Sequence, residues 1–177
     1  VGELDDGIDN LYQAYSESVR NLGTPVFPKA HFRAIRAEFG DDVDVITVRH
    51  EGRVVASVMN YYFRDQVLPF YGGGIAAARN LAANDFMYWE VMRRAAERGC
   101  RVFDFGRSKV DTGSYRFKKH WGFEPEPLSY EYHLVRATEM PDLNPNNPKY
   151  RLFINAWKKL PVGLSRAIGP WLAKGLA

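Results

Sequence analysis

The residues best suited to chemistry in this sequence lie in one stretch, from Asp104 to Gly122. Asp104 ends a short apolar run and precedes Phe105 and Gly106, so it places a carboxylate beside open backbone at the end of a predicted strand. Ligands of α/β sheets commonly bind at such strand ends, and this carboxylate could orient an attacking amine. It could equally cap the following loop or pair with Arg107, and the sequence leaves these alternatives open.

The same stretch carries basic side chains suited to phosphate or carboxylate groups. They are Arg107, Lys109, Arg116, Lys118 and Lys119. A solvated basic face is the alternative, because charged runs usually face solvent. Aromatic residues alternate with these cations, and this alternation favours a binding role. Tyr71, Tyr115 and Trp121 either wall a cleft here or belong to the core.

Hydrophobic periodicity predicts the elements that position these residues. Two amphipathic helices come first, then three β-patterned segments, a long helix, a short strand, a short helix and a last strand. Asn84 is predicted to cap the long helix, with Phe86 and Trp89 facing inward, and Ser114 to cap the short one. The segments are 8–23, 28–40, 43–49, 54–63, 67–71, 84–99, 101–105, 114–122 and 128–135.

Two ordered motifs resemble the paired signatures of the FemAB family in the GNAT superfamily. They are Asp104-Phe105-Gly106 and the stretch Tyr115-Arg116-Phe117-Lys118-Lys119-His120-Trp121-Gly122. The resemblance is closest to the FemAB-like branch associated with the PEP-CTERM exosortase system of exopolysaccharide-producing bacteria, which has a BioF2-like acetyltransferase domain. The segments 23–29 and 69–73 are similar to the same branch, and the likeness extends to about Leu134.

This resemblance implies an α/β (α+β) GNAT fold, with a central mixed sheet flanked by helices, whose first strand would lie in residues 1–4 or in a removed domain. It implies a bacterial enzyme that transfers an acyl or aminoacyl group to an amine, making an amide bond. The acceptor would be an anionic small molecule or a peptidoglycan or polysaccharide precursor of the cell envelope. An acyl-CoA-dependent N-acetyltransferase and a non-catalytic binding module are the alternatives.

The resemblance also implies roles for individual residues. Lys118 falls near the reacting carbonyl, where an ammonium stabilises the oxyanion of the tetrahedral intermediate. Asp104 is the second catalytic candidate. The candidate substrate-binding residues are Arg107, Lys109, Tyr115, Lys119 and Tyr71.

The loop before the long helix departs from that of acetyl-CoA-using GNAT enzymes. Their Arg/Gln-x-x-Gly-x-Gly/Ala loop holds a pyrophosphate with bare amides, whereas residues 79–84 here replace both glycines. Added side chains impede close backbone approach, which favours aminoacyl-tRNA over acyl-CoA as the donor. Gly73, Gly74 and Asn84 are candidate donor contacts, since Gly72 to Gly74 form either a phosphate nest or a strand-end bulge. No metal or redox cofactor is expected.

Length, composition and net charge limit the class of protein. The 177 residues, 46% hydrophobic, suit one folded domain, and a net charge of +3 is too small to indicate nucleic-acid binding. The single cysteine, Cys100, excludes an intrachain disulfide and suits a reducing compartment such as the cytoplasm.

Three regions are predicted along the chain. Residues 1–140 form the acyltransferase domain, 141–149 a linker rich in Pro and Asn, and 150–177 an amphipathic basic tail. The tail either lies on the inner face of an anionic membrane or packs on another domain, and Pro161 and Pro170 are expected to break it. Because the sequence begins at Val1 and Fem-type enzymes use two GNAT-like subdomains, we expect a fragment that lacks an N-terminal domain. The oligomeric state stays open.

Overall fold

The computed structural model describes residues 2–4, 7–136, 138, 140 and 148–174. The predicted order of elements is confirmed from the first helix to the short helix near residue 120, and a first strand lies where the family resemblance placed it. The elements are β1 (Gly2–Leu4), α1 (Ile8–Leu22), α2 (Lys29–Phe39), β2 (Val43–His50), β3 (Arg53–Phe63), β4 (Gln66–Gly74), α3 (Ala83–Glu97), β5 (Val102–Phe103), α4 (Gly113–His120), α5 (Pro148–Trp157) and α6 (Val162–Ala173).

The five strands form one mixed sheet in sequence order. Neighbours are antiparallel from β1 to β4, and β5 pairs with β4 in parallel. The β2–β3 turn uses left-handed residues, Glu51 (φ 50°) and Gly52 (φ 77°), as a two-residue hairpin connection requires. Strands β2, β3 and β4 are thus joined by two-residue turns, whereas α1 and α2 lie between β1 and β2.

Side chains of the central strands alternate between two cores, because successive residues of a strand point to opposite faces. On one face Val43, Val45 and Met59 pack against α1 and α2. On the other, Ile46 and Val58 pack against α3. The sheet is therefore covered by helices on both faces.

Helix α3 begins earlier and faces differently than the sequence predicts. Its N-cap is Ala82, in the left-handed region at φ 48°, so the prediction that Asn84 caps the helix is wrong. The Asn84 Oδ1 atom is buried without a hydrogen-bond partner in the described part of the chain. The inward prediction for Phe86 and Trp89 is also wrong, since their side chains are exposed and stack on each other.

The buried stripe of α3 carries a carboxylate. Met87 and Val91 face the sheet together with Glu90, which is only 4% exposed. Arg93 and Arg94 each donate a hydrogen bond to Glu90 Oε1 at 2.7 Å. These charge-assisted bonds allow Glu90 to be buried. The helix consequently turns a different face to the sheet than the one that carries Phe86 and Trp89, which the sequence predicts to be buried.

Helix α4 is capped by Thr112 rather than Ser114, so the predicted cap is wrong by two residues. The Thr112 Oγ1 atom accepts a hydrogen bond from the Tyr115 N–H at 3.3 Å, which satisfies one unpaired donor of the first turn. Both residue types make good caps, and only the position at which the chain becomes helical distinguishes them.

The last predicted strand, residues 128–135, is wrong, because this segment forms no strand pairing in the structure. A strand needs an edge to pair with. The neighbouring β5 is two residues long, and the chain turns away at Gly106, whose φ is +66°. The alternating apolar residues of the segment are exposed, among them Leu128, Tyr130 and Tyr132.

The predicted tail packs against α1 of the same chain. The sequence instead predicts contact with a membrane or with another domain. The Trp157 Nε1–H donates to Thr24 O at 3.1 Å, and Arg166 Nε donates to Ser16 Oγ at 2.7 Å. Pro161 lies between α5 and α6 as predicted, whereas Pro170 lies inside α6 near its end and does not break it.

The predicted linker falls mostly outside the described residues, which resume at Pro148 with the start of α5. In the described part of the chain, no helix has the length and apolar character needed to cross a membrane.

Candidate active site

The candidate site lies where β4 and β5 part. These strands pair only at Gln66–Val102 and Val67–Phe103, and the Asp104 N–H makes one further bond to Val67 O at 2.9 Å. Beyond Val67, β4 has no strand partner on its β5 side among the described residues. The two parallel strands thus separate at the carboxyl end of β5, and open α/β sheets bind ligands on the carboxyl side of their strands.

Local sequence explains why β4 is irregular at this point. Pro69 cannot donate to a sheet ladder, and prolines inside sheets occur at edges and bulges. The register with β3 shifts between Met59 and Asn60, directly opposite Pro69. The free edge of β4 therefore starts with a bulge.

Asp104 is held firmly at the mouth of this opening. Its Oδ1 atom accepts a hydrogen bond from the Gly106 N–H at 2.6 Å, and its Oδ2 atom accepts from Gln66 Nε2 at 3.1 Å. The loop-capping alternative is therefore present in the structure. The alternative pairing with Arg107 is not, since Arg107 Nη1 instead donates to Tyr130 Oη at 3.2 Å.

Lys118 reaches the same loop from α4. Its Nζ atom donates to Gly106 O at 2.8 Å and to Arg107 O at 3.3 Å. An ammonium has three N–H donors, so one remains for a ligand. Burial lowers the pKa of the Lys118 ammonium, and the nearby Asp104 carboxylate partly counteracts this by raising it.

The structure brings Asp104, Arg107 and Lys118 together around Gly106. The other two predicted lysines, Lys109 and Lys119, are exposed on the loop and on α4. Tyr115 lies in the first turn of α4 and is half-buried. Of the five predicted cations, Arg107 and Lys118 are thus bonded within the site, Arg116 donates to Asp111 O at 3.3 Å, and the other two lie at the surface beside the site.

Two buried polar atoms flank this group in sequence; Ser108 was missed as a candidate, whereas Trp121 was predicted either to wall a cleft or to belong to the core. Ser108 Oγ and Trp121 Nε1 are buried without a hydrogen-bond partner in the part of the chain that the structure describes. Buried donors are nearly always paired, so two unpaired ones in the segments that flank Lys118 in sequence are expected where a ligand supplies the acceptors. A hydroxyl directly after the Asp-Phe-Gly-Arg run was the only sequence signal for Ser108.

Tyr71 lies on β4 amid aromatic rings on the α1–α2 side of the sheet. Its hydroxyl is 3.1 Å from His31 Nε2, a partner that the sequence did not indicate. The rings of Tyr15, Phe32 and Phe70 pack edge-on against it, and burial raises the pKa of the Tyr71 phenol. Tyr71 therefore combines the two predicted alternatives, because it packs in a core cluster and is still half-exposed.

Gly73 and Gly74 lie inside β4, where they pair with Ser57 and Ala56 of β3. A Cβ atom on Gly73 would lie 2.3 Å from the Ser18 side chain of α1, so close packing of α1 explains the glycine. The concave nest proposed for this run is wrong, because the glycines continue an extended strand. The bulge lies nearer the start of β4.

The loop between β4 and α3 already binds an anion from the protein itself. The Ala76 N–H donates to the Glu17 Oε1 atom of α1 at 2.9 Å. The resemblance seen in the sequence implies that this region presents bare amides to a pyrophosphate in CoA-using GNAT enzymes. Glu17 and the missing glycines make the region less suited to phosphate than the fold alone would predict.

Another concave feature lies elsewhere on the described part of the chain. A shallow groove of about 250 Å³ lies at the start of α3, away from Asp104 and Lys118. It is lined by Val48, Arg49, His50, Val55, Leu81, Ala83 and Phe86. The described residues contain no cluster of three or more His, Cys, Asp or Glu side chains able to hold a metal.

A mixed sheet in which parallel β4 and β5 part beyond Val67, with helices on both faces, is the architecture of the GNAT acyltransferase fold. The chain belongs to the acetyltransferase (GNAT) domain family, whose model matches residues 1–119. A search of curated proteins finds no match. The predicted fold class and the predicted enzyme class, an acyltransferase, are thereby confirmed.

Solved structures with the same fold are distant in sequence. An aminoglycoside acetyltransferase, AAC(6')-Iy, in complex with a CoA bisubstrate analog, is 15% identical with a TM-score of 0.59, over 76% of this chain and 97% of its own. The ribosomal-protein-S18-alanine N-acetyltransferase of Escherichia coli is 8% identical with a TM-score of 0.59, over 72% and 79%. An aminoglycoside acetyltransferase from an uncultured soil sample, in complex with sisomicin, is 11% identical with a TM-score of 0.58, over 76% and 94%. The finer FemAB-like, PEP-CTERM and BioF2-like resemblance stays a prediction.

Proposed function

We propose that this chain transfers an acyl group from a carrier to the amine of an acceptor, with Lys118 and Asp104 at the reacting centre. The observation that carries the proposal is the half-buried Lys118 ammonium, which has two of its three N–H groups bonded to the 106–107 loop at the mouth of the β4–β5 opening. The remaining N–H can stabilise the oxyanion that forms when the amine attacks the acyl carbonyl. Asp104, with both oxygens positioned, orients the incoming amine.

Acyl-CoA is the donor that we place first. Membership of an acetyltransferase family supports it, as does a fold neighbour solved with a CoA analog. The free edge of β4 offers unpaired backbone groups that can bond the amides of an extended carrier arm. We therefore propose that the acyl arm enters between β4 and β5.

Aminoacyl-tRNA is the second candidate donor, and one observation favours it. The Glu17 carboxylate accepts a hydrogen bond from the Ala76 N–H, and residues with side chains stand at both glycine positions of the phosphate loop. A carboxylate at that amide repels a pyrophosphate, while an aminoacyl ester on a terminal adenosine has no pyrophosphate to place there. Although Gly73 and Gly74 form no nest, we propose them as donor contacts through the edge of β4, together with the buried, unpartnered Oδ1 atom of Asn84.

For the acceptor we propose an anionic envelope or exopolysaccharide precursor that carries an amine. Arg107, Lys109 and Lys119 provide the positive charge beside the reacting pair, and Tyr115 borders the same loop. On the other side of β4, the Tyr71 hydroxyl held by His31 offers a polar group within an aromatic surface. A non-catalytic module that only binds such a precursor would use the same surface without turnover.

Isothermal titration calorimetry with acetyl-CoA and with aminoacyl-tRNA tests the donor directly. If acyl-CoA is the donor, the wild-type chain binds it saturably, and Glu17→Gln binds it more tightly because the competing carboxylate is gone. Lys29→Gln, which changes a charge in the Asp9 pair elsewhere, serves as the control. Saturable tRNA binding without CoA binding would select the second donor, and no binding of either would favour the non-catalytic module.

A further inference from the structure

Helix α6 has its small residues inside and its large apolar residues outside. Ser165, Gly169 and Ala173 face the protein and are buried. Leu164, Ile168 and Trp171 face away, and Trp171 is 75% exposed. Together with the exposed Ala167, they repeat at helical spacing. We name these four residues the outer face of α6. A surface helix normally has the opposite arrangement, so the outer face is suited to being covered.

The contacts of α6 hold this orientation in place. A Cβ atom on Gly169 would lie 3.0 Å from the Val26 backbone nitrogen, so only a small residue fits there. Arg166 donates to Ser16 Oγ and, at 3.1 Å, to Gln13 O of α1. The helix cannot rotate its outer face inward without breaking these contacts.

Helix α5 extends the same apolar character. Leu152 is 81% exposed, and Phe153 stacks on the buried Trp157 while remaining exposed itself. Residues 151–174 contain no Asp or Glu. Their cations are Arg151, Lys158, Lys159, Arg166 and Lys174, of which all but Arg166 are exposed. An apolar strip with an exposed tryptophan therefore lies among positive charges, on a segment that has no acidic residue of its own.

We propose that the outer face of α6, with Leu152 and Phe153, lies in the headgroup region of an anionic lipid bilayer. Helices that bind in the plane of a membrane combine an apolar face, interfacial tryptophan and flanking lysines. A second copy of this chain is a poorer occupant, because a two-fold contact would place two basic surfaces together. The anionic leaflet supplies both the apolar layer and the negative charge.

Co-sedimentation of the full chain with vesicles tests this proposal, and it needs no enzymatic turnover. We expect binding to phosphatidylcholine vesicles that contain phosphatidylglycerol, weaker binding at high salt, and little binding to phosphatidylcholine alone. Lys158→Gln with Lys159→Gln is expected to weaken binding about 30-fold, since each cation near the surface contributes about a factor of five. The control pair is Arg53→Gln with Arg101→Gln, two exposed cations outside the tail.

The apolar contribution has its own matched pair. Ile168→Ser with Trp171→Ser removes two side chains of the outer face and is expected to abolish sedimentation, whereas Phe63→Ser with Val135→Ser removes exposed apolar side chains elsewhere and leaves it unchanged. Thermal melting confirms that all variants fold. Three results would overturn the proposal: no binding of the wild-type chain to anionic vesicles, binding unaffected by changes in the outer face, or a dimer in solution that dissociates on Ile168→Ser.

Discussion

At the scale of single residues, burial and a neighbouring charge shift the pKa of Lys118 in opposite directions. Burial favours the neutral amine and lowers its pKa, while the Asp104 carboxylate favours the ammonium. The proposed oxyanion role needs the ammonium. Activity must therefore fall as the pH rises through the lowered pKa of Lys118, at a lower pH than for an exposed lysine.

Asp104→Asn tests this coupling. Removing the carboxylate charge removes the interaction that raises the pKa of Lys118, so the ammonium loses its proton at lower pH. We expect the alkaline limb of the kcat/KM profile to shift toward lower pH, in addition to any loss of kcat from amine orientation. An alkaline limb that stays in place, or moves to higher pH, would show that Asp104 does not act on Lys118.

At the scale of elements, the cap of α4 decides where Lys118 is held. Thr112→Ala removes the bond from Oγ1 to the Tyr115 N–H and is expected to cost about 1 kcal/mol of unfolding free energy. Ser114→Ala, at the position that the sequence pattern indicates, is expected to cost less. Urea denaturation of both variants measures the difference, and equal losses would contradict the cap seen in the structure.

Most of the elements could be predicted because their signals are local. The apolar spacing of α1, the glycine stop at Gly23 and the β-branched alternation of β2 and β3 all depend on neighbours in sequence. The rotation of α3 could not be predicted, because it depends on Arg93 and Arg94 neutralising Glu90 against the sheet. The segment 128–135 has a strand's alternation, but whether it pairs with a sheet edge depends on the folded sheet and not on its own residues.

The candidate site was predictable in part for the same reason. Asp104, Arg107 and Lys118 lie close together in sequence, and the structure keeps them close in space. His31 and Glu17 lie far from their partners Tyr71 and Ala76 in sequence, and only the packing of α1 and α2 across β4 brings them there. Single-sequence patterns contain no signal for such long-range pairs.

At the scale of the whole molecule, the tail is part of the folded body. Trp157 is 3% exposed and donates to Thr24 O, whereas Trp171 is 75% exposed. Trp157→Ala is therefore expected to cost about 3–5 kcal/mol, as for other buried aromatic truncations, while Trp171→Ala leaves the stability in solution almost unchanged. Thermal or urea unfolding compares them, and equal stabilities would mean that the tail does not pack on α1.

The same arrangement gives the molecule two separate surfaces. The proposed reacting pair lies at the carboxyl end of β5, beside the first residues of β4, and the outer face of α6 lies beyond α1. Loss of membrane binding in α6 variants should consequently leave acyl transfer to a water-soluble amine intact. The two proposals can thus fail independently.

The most direct test of the central claim is acyl transfer by purified chain carrying Lys118→Met. Release of free CoA from acetyl-CoA, or of uncharged tRNA from aminoacyl-tRNA, is followed in the presence of amine acceptors, with Lys119→Met as the matched variant on the exposed side of α4. We predict amine-dependent release by the wild-type chain, a loss of kcat of about 100-fold or more in Lys118→Met, and in Lys119→Met a change confined to KM. Turnover by Lys118→Met at the rate of the wild-type chain would contradict the account.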